Sequence, residues 1–227
     1  MADSSHAGPH PEPSAGDLVR VHSIQEEYFF LMVHPCTCGG PWFHSAQNLR
    51  QTSAGLTDEV RARCAKCGKE RPFSFALPGE GNLDRIAPIR EINPTNEPSR
   101  AVDAAEWLDL ARFYLERIER LKSPTERAQS LLDARGCLQE AIKFYGPGDD
   151  GPPPGALWSD ASRRKVAGHP DAYRREALET MLAKMPTTER LRQADAPDQR
   201  EFQKALKETA RRRVGRRWWQ FWKRRRK

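Results

Sequence analysis

The chain has 227 residues, 37% of them hydrophobic and 30% charged, with a mean hydropathy of −0.80. That is room for one ordinary domain or two small ones with a modest core. The longest apolar run, Tyr28 to Val33, is far short of the roughly 20 residues that a helix needs to cross a bilayer. The net charge of +7 is unevenly spread: residues 211–227 hold ten Lys/Arg and no acid, while the other 210 residues hold 28 bases against 31 acids. A mildly acidic body therefore carries one strongly basic tail, which points to a polyanionic partner for that tail.

Residues 1–16 are rich in Pro, Gly, Ser and His and lack the apolar stretch of a secretory leader. They are expected to be disordered, because they have too little apolar surface to offset the entropy of ordering. Residues 17–90 read as a β module. Strands are expected at Leu18–Val21, Glu27–Val33, Trp42–Leu49, Glu59–Arg63 and Arg71–Leu77, the last with Phe73 and Phe75 alternating against Ser74. The four prolines at 78, 88, 94 and 98 mark an irregular connector.

Residues 91–146 read as an antiparallel helical hairpin. Its first helix begins near Ser99 and buries Ala104, Leu108, Ala111, Leu115 and Ile118, with Trp107, Leu110, Tyr114 and Leu121 widening the stripe. Ser123-Pro124-Thr125-Glu126 predicts a second start, with Ser123 as N-cap, Pro124 at the first helical position and Glu126 completing a capping box. That helix packs Leu131, Ala134, Leu138, Ala141, Ile142 and Tyr145 and stops at Gly146-Pro147. Residues 147–169 are expected to be a Pro/Gly-rich linker. Residues 170–210 should be helical, from Pro170 to about Met185 and again from about Asp198.

The chemistry-bearing motif is a set of four cysteines in two close pairs, Cys36-Thr37-Cys38 and Cys64-Ala65-Lys66-Cys67, separated by 25 residues. Cys64-x-x-Cys67-Gly68-Lys69 has the form of a zinc knuckle, in which two thiolates on a tight turn reach one ion and glycine relieves the turn. Cys36-x-Cys38-Gly39-Gly40 is one residue shorter, and His34 and His44 stand close by as substitute ligands. Four thiolates would close a tetrahedron around Zn2+ and leave no position for water, the pattern of a structural site. Residues 27–78 resemble the zinc-ribbon class. That resemblance implies two cysteine knuckles on adjacent hairpins of a small antiparallel sheet, with one bound zinc ion, but no single function. The expected fold is thus α+β: an N-terminal zinc ribbon, an antiparallel helical hairpin and further helices. Cys137, in the second helix, reads as a small buried hydrophobe.

Residues 211–227 combine Arg211, Arg212, Arg213, Arg216, Arg217, Lys223, Arg224, Arg225, Arg226 and Lys227 with Trp218, Trp219, Phe221 and Trp222. Tryptophan flanked by bases suits an anionic membrane surface, where rings settle at the headgroups and bases attract lipid. The same residues suit nucleic acid, through phosphate neutralisation and stacking, and charge runs are often simply solvated. A weaker patch, Arg61, Arg63, Lys66, Lys69 and Arg71 against Glu59 and Glu70, lies around the second cysteine pair. No nucleophile elbow, phosphate loop, HExxH pair or dinucleotide fingerprint occurs in the sequence. The expectation is a non-enzymatic, cytoplasmic adaptor that binds a protein partner through ribbon and hairpin and reaches a membrane through its tail. Nucleic-acid binding by tail and ribbon is the alternative, and no small-molecule substrate is inferred.

Overall fold

The structure, a computed structural model, describes residues 18–52, 55–78 and 92–191. The expected N-terminal disorder, most of the proline connector, the helix from Asp198 and the basic tail lie outside the described residues. The fold is mixed: a four-stranded sheet followed by helices. The strands are β1 (Leu18–Arg20), β2 (Trp42–Thr52), β3 (Gly55–Cys64) and β4 (Glu70–Leu77). Their order across the sheet is β1-β4-β3-β2. β2, β3 and β4 form an antiparallel meander, but β1 joins β4 in parallel, Val19 opposite Phe75. The sheet is therefore not the purely antiparallel ribbon that the resemblance to the zinc-ribbon class implies.

The segment Glu27–Val33, expected as a strand, lies in a helix, α1 (Ile24–Val33). Ser23 caps it by accepting a hydrogen bond from the Glu26 amide, and Glu26 and Glu27 occupy its first turn, where carboxylates suit the helix dipole. Of the apolar run that suggested a strand, Phe29, Phe30 and Leu31 are buried, while Tyr28 and Met32 are exposed. Phe29 and Phe30 are fully enclosed, Phe30 meeting Phe73 and Phe75 edge-on and Phe29 meeting Trp107 and Tyr114. Alternation in β3 puts Leu56, Asp58, Val60, Ala62 and Cys64 on the covered face of the sheet.

α2 (Ala104–Ile118) starts five residues later than Ser99. Its N-cap is Asp103, in a reciprocal capping box with Glu106. Ser99 caps the turn before it instead, accepting from the amides of Ala101 and Val102. α3 (Pro124–Ile142) begins where expected, with Ser123 accepting from the Glu126 amide, and ends four residues before Gly146. The Ser130 hydroxyl donates to the Tyr114 carbonyl and pins the two helices together.

The stretch expected as a linker holds a short 3-10 turn, Pro154–Ala156, and a helix, α4 (Asp160–Gly168), capped by Ser159. The predicted helix from Pro170 is instead a 3-10 turn, Pro170–Tyr173, followed by α5 (Arg175–Lys184), with Arg174 extended between them. One core runs through sheet and helices, joining Val60 and Phe75 to Trp107, Leu108, Leu138, Tyr173 and Leu178. Among the described residues no helix is long and apolar enough to cross a membrane.

Candidate metal centre

α1 ends at His34, whose amide closes on the Phe30 carbonyl, and Pro35 prevents the helix from continuing. The next five residues form the first cysteine turn. The Cys36 amide donates to the Gly40 carbonyl at 3.0 Å, and the Gly39 amide to the Cys36 carbonyl at 2.6 Å. The second turn, between β3 and β4, repeats this pattern with one residue more: Cys64 amide to Lys69 carbonyl at 2.9 Å, and Gly68 amide to Cys64 carbonyl at 3.0 Å. Gly39 and Gly68 occupy equivalent left-handed positions, with φ of 75° and 73°, which glycine adopts without steric cost. The CxC turn is thus the CxxC turn shortened by one residue. It sits between a helix and a strand rather than on a hairpin.

The two turns are tied directly to each other. The Ala65 amide donates to the Pro41 carbonyl at 2.9 Å, and the Lys66 ammonium to the Cys38 carbonyl at 3.1 Å. The Trp42 indole N–H donates to the His34 carbonyl at 2.8 Å, stapling the chain on either side of the first turn. This arrangement gathers all four sulfurs. Cys38 and Cys64 approach to 3.4 Å, Cys36 and Cys67 to 3.7 Å, and every pair lies within 4.8 Å. Sulfurs about 2.3 Å from a tetrahedral zinc ion stand about 3.8 Å apart, so the cluster fits a four-thiolate metal ion. The separations are too long for disulfides, and all four thiols are free.

The surroundings favour thiolates on the buried side. Amides of Cys67 and Lys66 directed at the Cys64 sulfur bring its thiol down to about 6, and the Cys38 amide lowers Cys36. The Gly40 amide also lowers Cys38, but hydrogen bonds shared with Cys64 and Cys67 outweigh it and push that thiol up to about 11. Cys36 and Cys64 are buried, Cys38 is half-buried and Cys67 is exposed, so one edge of the centre meets solvent. The two histidines considered as substitute ligands lie elsewhere. The His34 ring contacts the Phe30 carbonyl at 3.0 Å and faces Glu106 at 3.7 Å, while His44 packs edge-on against Tyr28.

Two features escaped the sequence reading. Gly40 faces the second turn so closely that no Cβ fits there, although the Gly39-Gly40 pair was legible. The second is a group of buried acids under α1. Glu26, Glu27 and Asp58 are all under 3% exposed, and one oxygen of each has no hydrogen-bond partner. Burial, then the neighbouring Asp58, push the Glu27 carboxyl up to about 9. Gln47 donates to Asp58, and the His22 amide donates to Glu26. The signal in the sequence was Asp58 in the inward parity of the Leu56–Val60 alternation. Cys137 is fully buried in α3, its thiol pushed well up by burial. The tail residues proposed to bind a polyanion fall outside the described part of the chain.

No protein-family model, no curated protein and no solved structure matches the chain. What the fold and site define is a mixed helix-and-sheet protein with four cysteines arranged to hold one metal ion.

Proposed function

We propose that this protein is a non-enzymatic adaptor built around a structural zinc ion, with a basic aromatic tail that brings it to an anionic membrane surface. The observation that carries the zinc reading is the closure of four sulfurs on one another from two hydrogen-bonded turns. Four thiolates fill a tetrahedron and leave no open position for water or substrate, so the ion's work is to hold the fold. The second turn keeps the knuckle form of the zinc-ribbon class, and the first is its shortened counterpart. Structural zinc contributes on the order of 10 kcal/mol or more of folding energy, which a small sheet with a modest core needs.

The membrane reading is supported by the segregation of charge: ten bases and no acid in residues 211–227, interleaved with Trp218, Trp219, Phe221 and Trp222. Each base near an anionic surface contributes about 1 kcal/mol, and the indoles anchor at the headgroups. The helices then serve as the face that a protein partner recognises.

Flotation with phosphatidylserine-containing vesicles at physiological salt tests this reading, comparing the full chain with residues 1–210. Flotation of the full chain alone supports it; flotation of neither, or of both equally, overturns it. Nucleic-acid binding is the second reading, and it predicts oligonucleotide affinity that falls steeply with salt and is lost with the tail.

A further inference from the structure

We infer that the face of the β-sheet that no other described element covers is a second contact with the anionic bilayer, laying the body on the surface that the tail reaches. This rests on the membrane reading of the tail.

One face of the sheet is packed under α1, through Phe73, Phe75 and Val60. The register fixes what the other face carries. Across it from the metal end run the rows Glu70–Arg63–Phe43, Pro72–Arg61–Ala46, Leu18–Ser74–Glu59–Asn48 and Arg20–Ala76–Thr57–Arg50. Four strands at about 4.8 Å spacing make a patch about 14 Å wide. Its four arginines and two apolar tips are all exposed, Phe43 by 63% and Leu18 by 54%. Arg50 pairs with Glu59 at 3.3 Å, which leaves Arg20, Arg61 and Arg63 against Glu70.

Two arguments select an anionic bilayer as the occupant. The first is charge. Arg20, Arg50, Arg61 and Arg63 stand against Glu59 and Glu70, so this face is net basic, while the other described residues are close to neutral. A negatively charged plane attracts this side of the body. The second is the placement of the apolar residues. Leu18 and Phe43 project from opposite edge strands on the same side, while the arginines between them reach the same plane on long flexible stems. Two apolar tips bracketing a basic strip match an interface whose headgroups lie above acyl chains. Binding through tail and sheet together multiplies the two contacts, because the tail holds the sheet at high local concentration.

The test is sedimentation of the full chain with sucrose-loaded vesicles of mixed phosphatidylcholine and phosphatidylserine. Variants are Phe43→Ala, the double variant R61E/R63E and, as a gain-of-binding counterpart, Glu70→Gln. All four positions are exposed, and thermal melting with bound-metal content verifies the fold. The inference expects R61E/R63E to lower the partition coefficient at least about tenfold, and E70Q to raise it severalfold, at about 1 kcal/mol per charge near the surface. Unchanged partitioning of R61E/R63E and E70Q, with the wild-type chain still bound, overturns the inference and spares the tail reading. A wild-type chain that does not sediment with vesicles sinks both. If R61E/R63E weakens binding of a single-stranded oligonucleotide but not of vesicles, the face belongs to nucleic acid and the inference is overturned.

Discussion

Gly40 lies so close to Cys64 that a Cβ at position 40 would stand 2.6 Å from the Cys64 sulfur and 2.6 Å from the Lys66 Cβ. The two cysteine turns are in contact at this point, and only a residue without a side chain fits between them. Gly40→Ala is therefore expected to push the Cys64 sulfur out of the tetrahedron and to lower metal affinity at least about tenfold, a penalty of about 1.4 kcal/mol. Gly39→Ala meets open space and suffers only from its φ of 75°, a cost of about 1 to 2 kcal/mol in stability. Competition with a chromophoric chelator, read alongside thermal melting, separates the two effects. Equal metal affinity in both variants would contradict the wedge role of Gly40.

The metal centre joins the end of α1 to the β3–β4 turn, so its loss should be felt throughout the shared core. Native mass spectrometry is expected to find one metal ion per chain. Chelation, or the double substitution of Cys64 and Cys67 by Ser, is expected to remove it and to melt the sheet at ordinary temperature. Retention of both the ion and the β-sheet circular dichroism in the double variant would refute the four-cysteine site.

Glu27 makes stability depend on pH in a predictable direction. Its folded value of about 9 lies above the ordinary 4.5, so folding takes up a proton between those limits. Stability is therefore greatest below pH 4.5, as far as this group is concerned, and declines as the pH rises through that window. Near pH 7 the cost is about 3 kcal/mol as an upper figure. Glu27→Gln keeps a hydrogen-bond donor toward Asp58 without the charge, so it is expected to be more stable than wild type at neutral pH and indistinguishable near pH 4. Urea unfolding at several pH values checks this; a constant difference across the range would exclude Glu27 as its source.

Asp103 does two jobs with one carboxylate. One oxygen accepts the Glu106 amide at 2.9 Å and caps α2; the other accepts the Trp158 amide at 3.1 Å, holding the segment that leads into α4. The side chain is fully buried, so Asp103→Ala leaves two donors unpaired and is expected to cost about 2 to 4 kcal/mol. Ser123→Ala removes one 3.4 Å exposed cap and should cost about 1 kcal/mol or less. Denaturant midpoints of the two variants should differ in that order.

The cysteine pairs were legible because metal ligation constrains spacing locally, and β2 to β4 were legible because half-buried strands alternate. α1 was not, for a definite reason. Its buried apolar residues, Phe29, Phe30 and Leu31, are consecutive, since the helix is covered from several sides and shows no amphipathic period. The overlooked signal was Ser23-Ile24-Gln25-Glu26, a start signature of the same form as Ser123 to Glu126. Asp103 to Glu106 has that form as well, and there Asp103 takes the helix cap while Ser99, also buried, caps the turn before it. The parallel pairing of β1 rests on contacts between residues more than fifty apart, which no local pattern encodes. α4 is short and polar, and its helical state depends on the Ser159 cap and on Lys165 reaching Asp109 of α2.

The parallel strand β1 also determines which backbone the molecule shows to its neighbours. β4 begins with Glu70, Arg71 and Pro72 and ends in the uncharged, largely apolar stretch Phe73 to Leu77. Leu18 to Arg20 cover Ser74 to Ala76, and the Val21 amide adds a bond to the Ala76 carbonyl, so the sticky half of the strand is sealed and the charged half is left alone. β2, the opposite edge, is guarded differently, by a bulge between His44 and Ala46 and by Arg50. A chain trimmed past Val21 would bare a flat hydrophobic edge of the kind that recruits identical strands. Such a fragment should aggregate even with its metal centre intact, which makes the short first strand a solubility element.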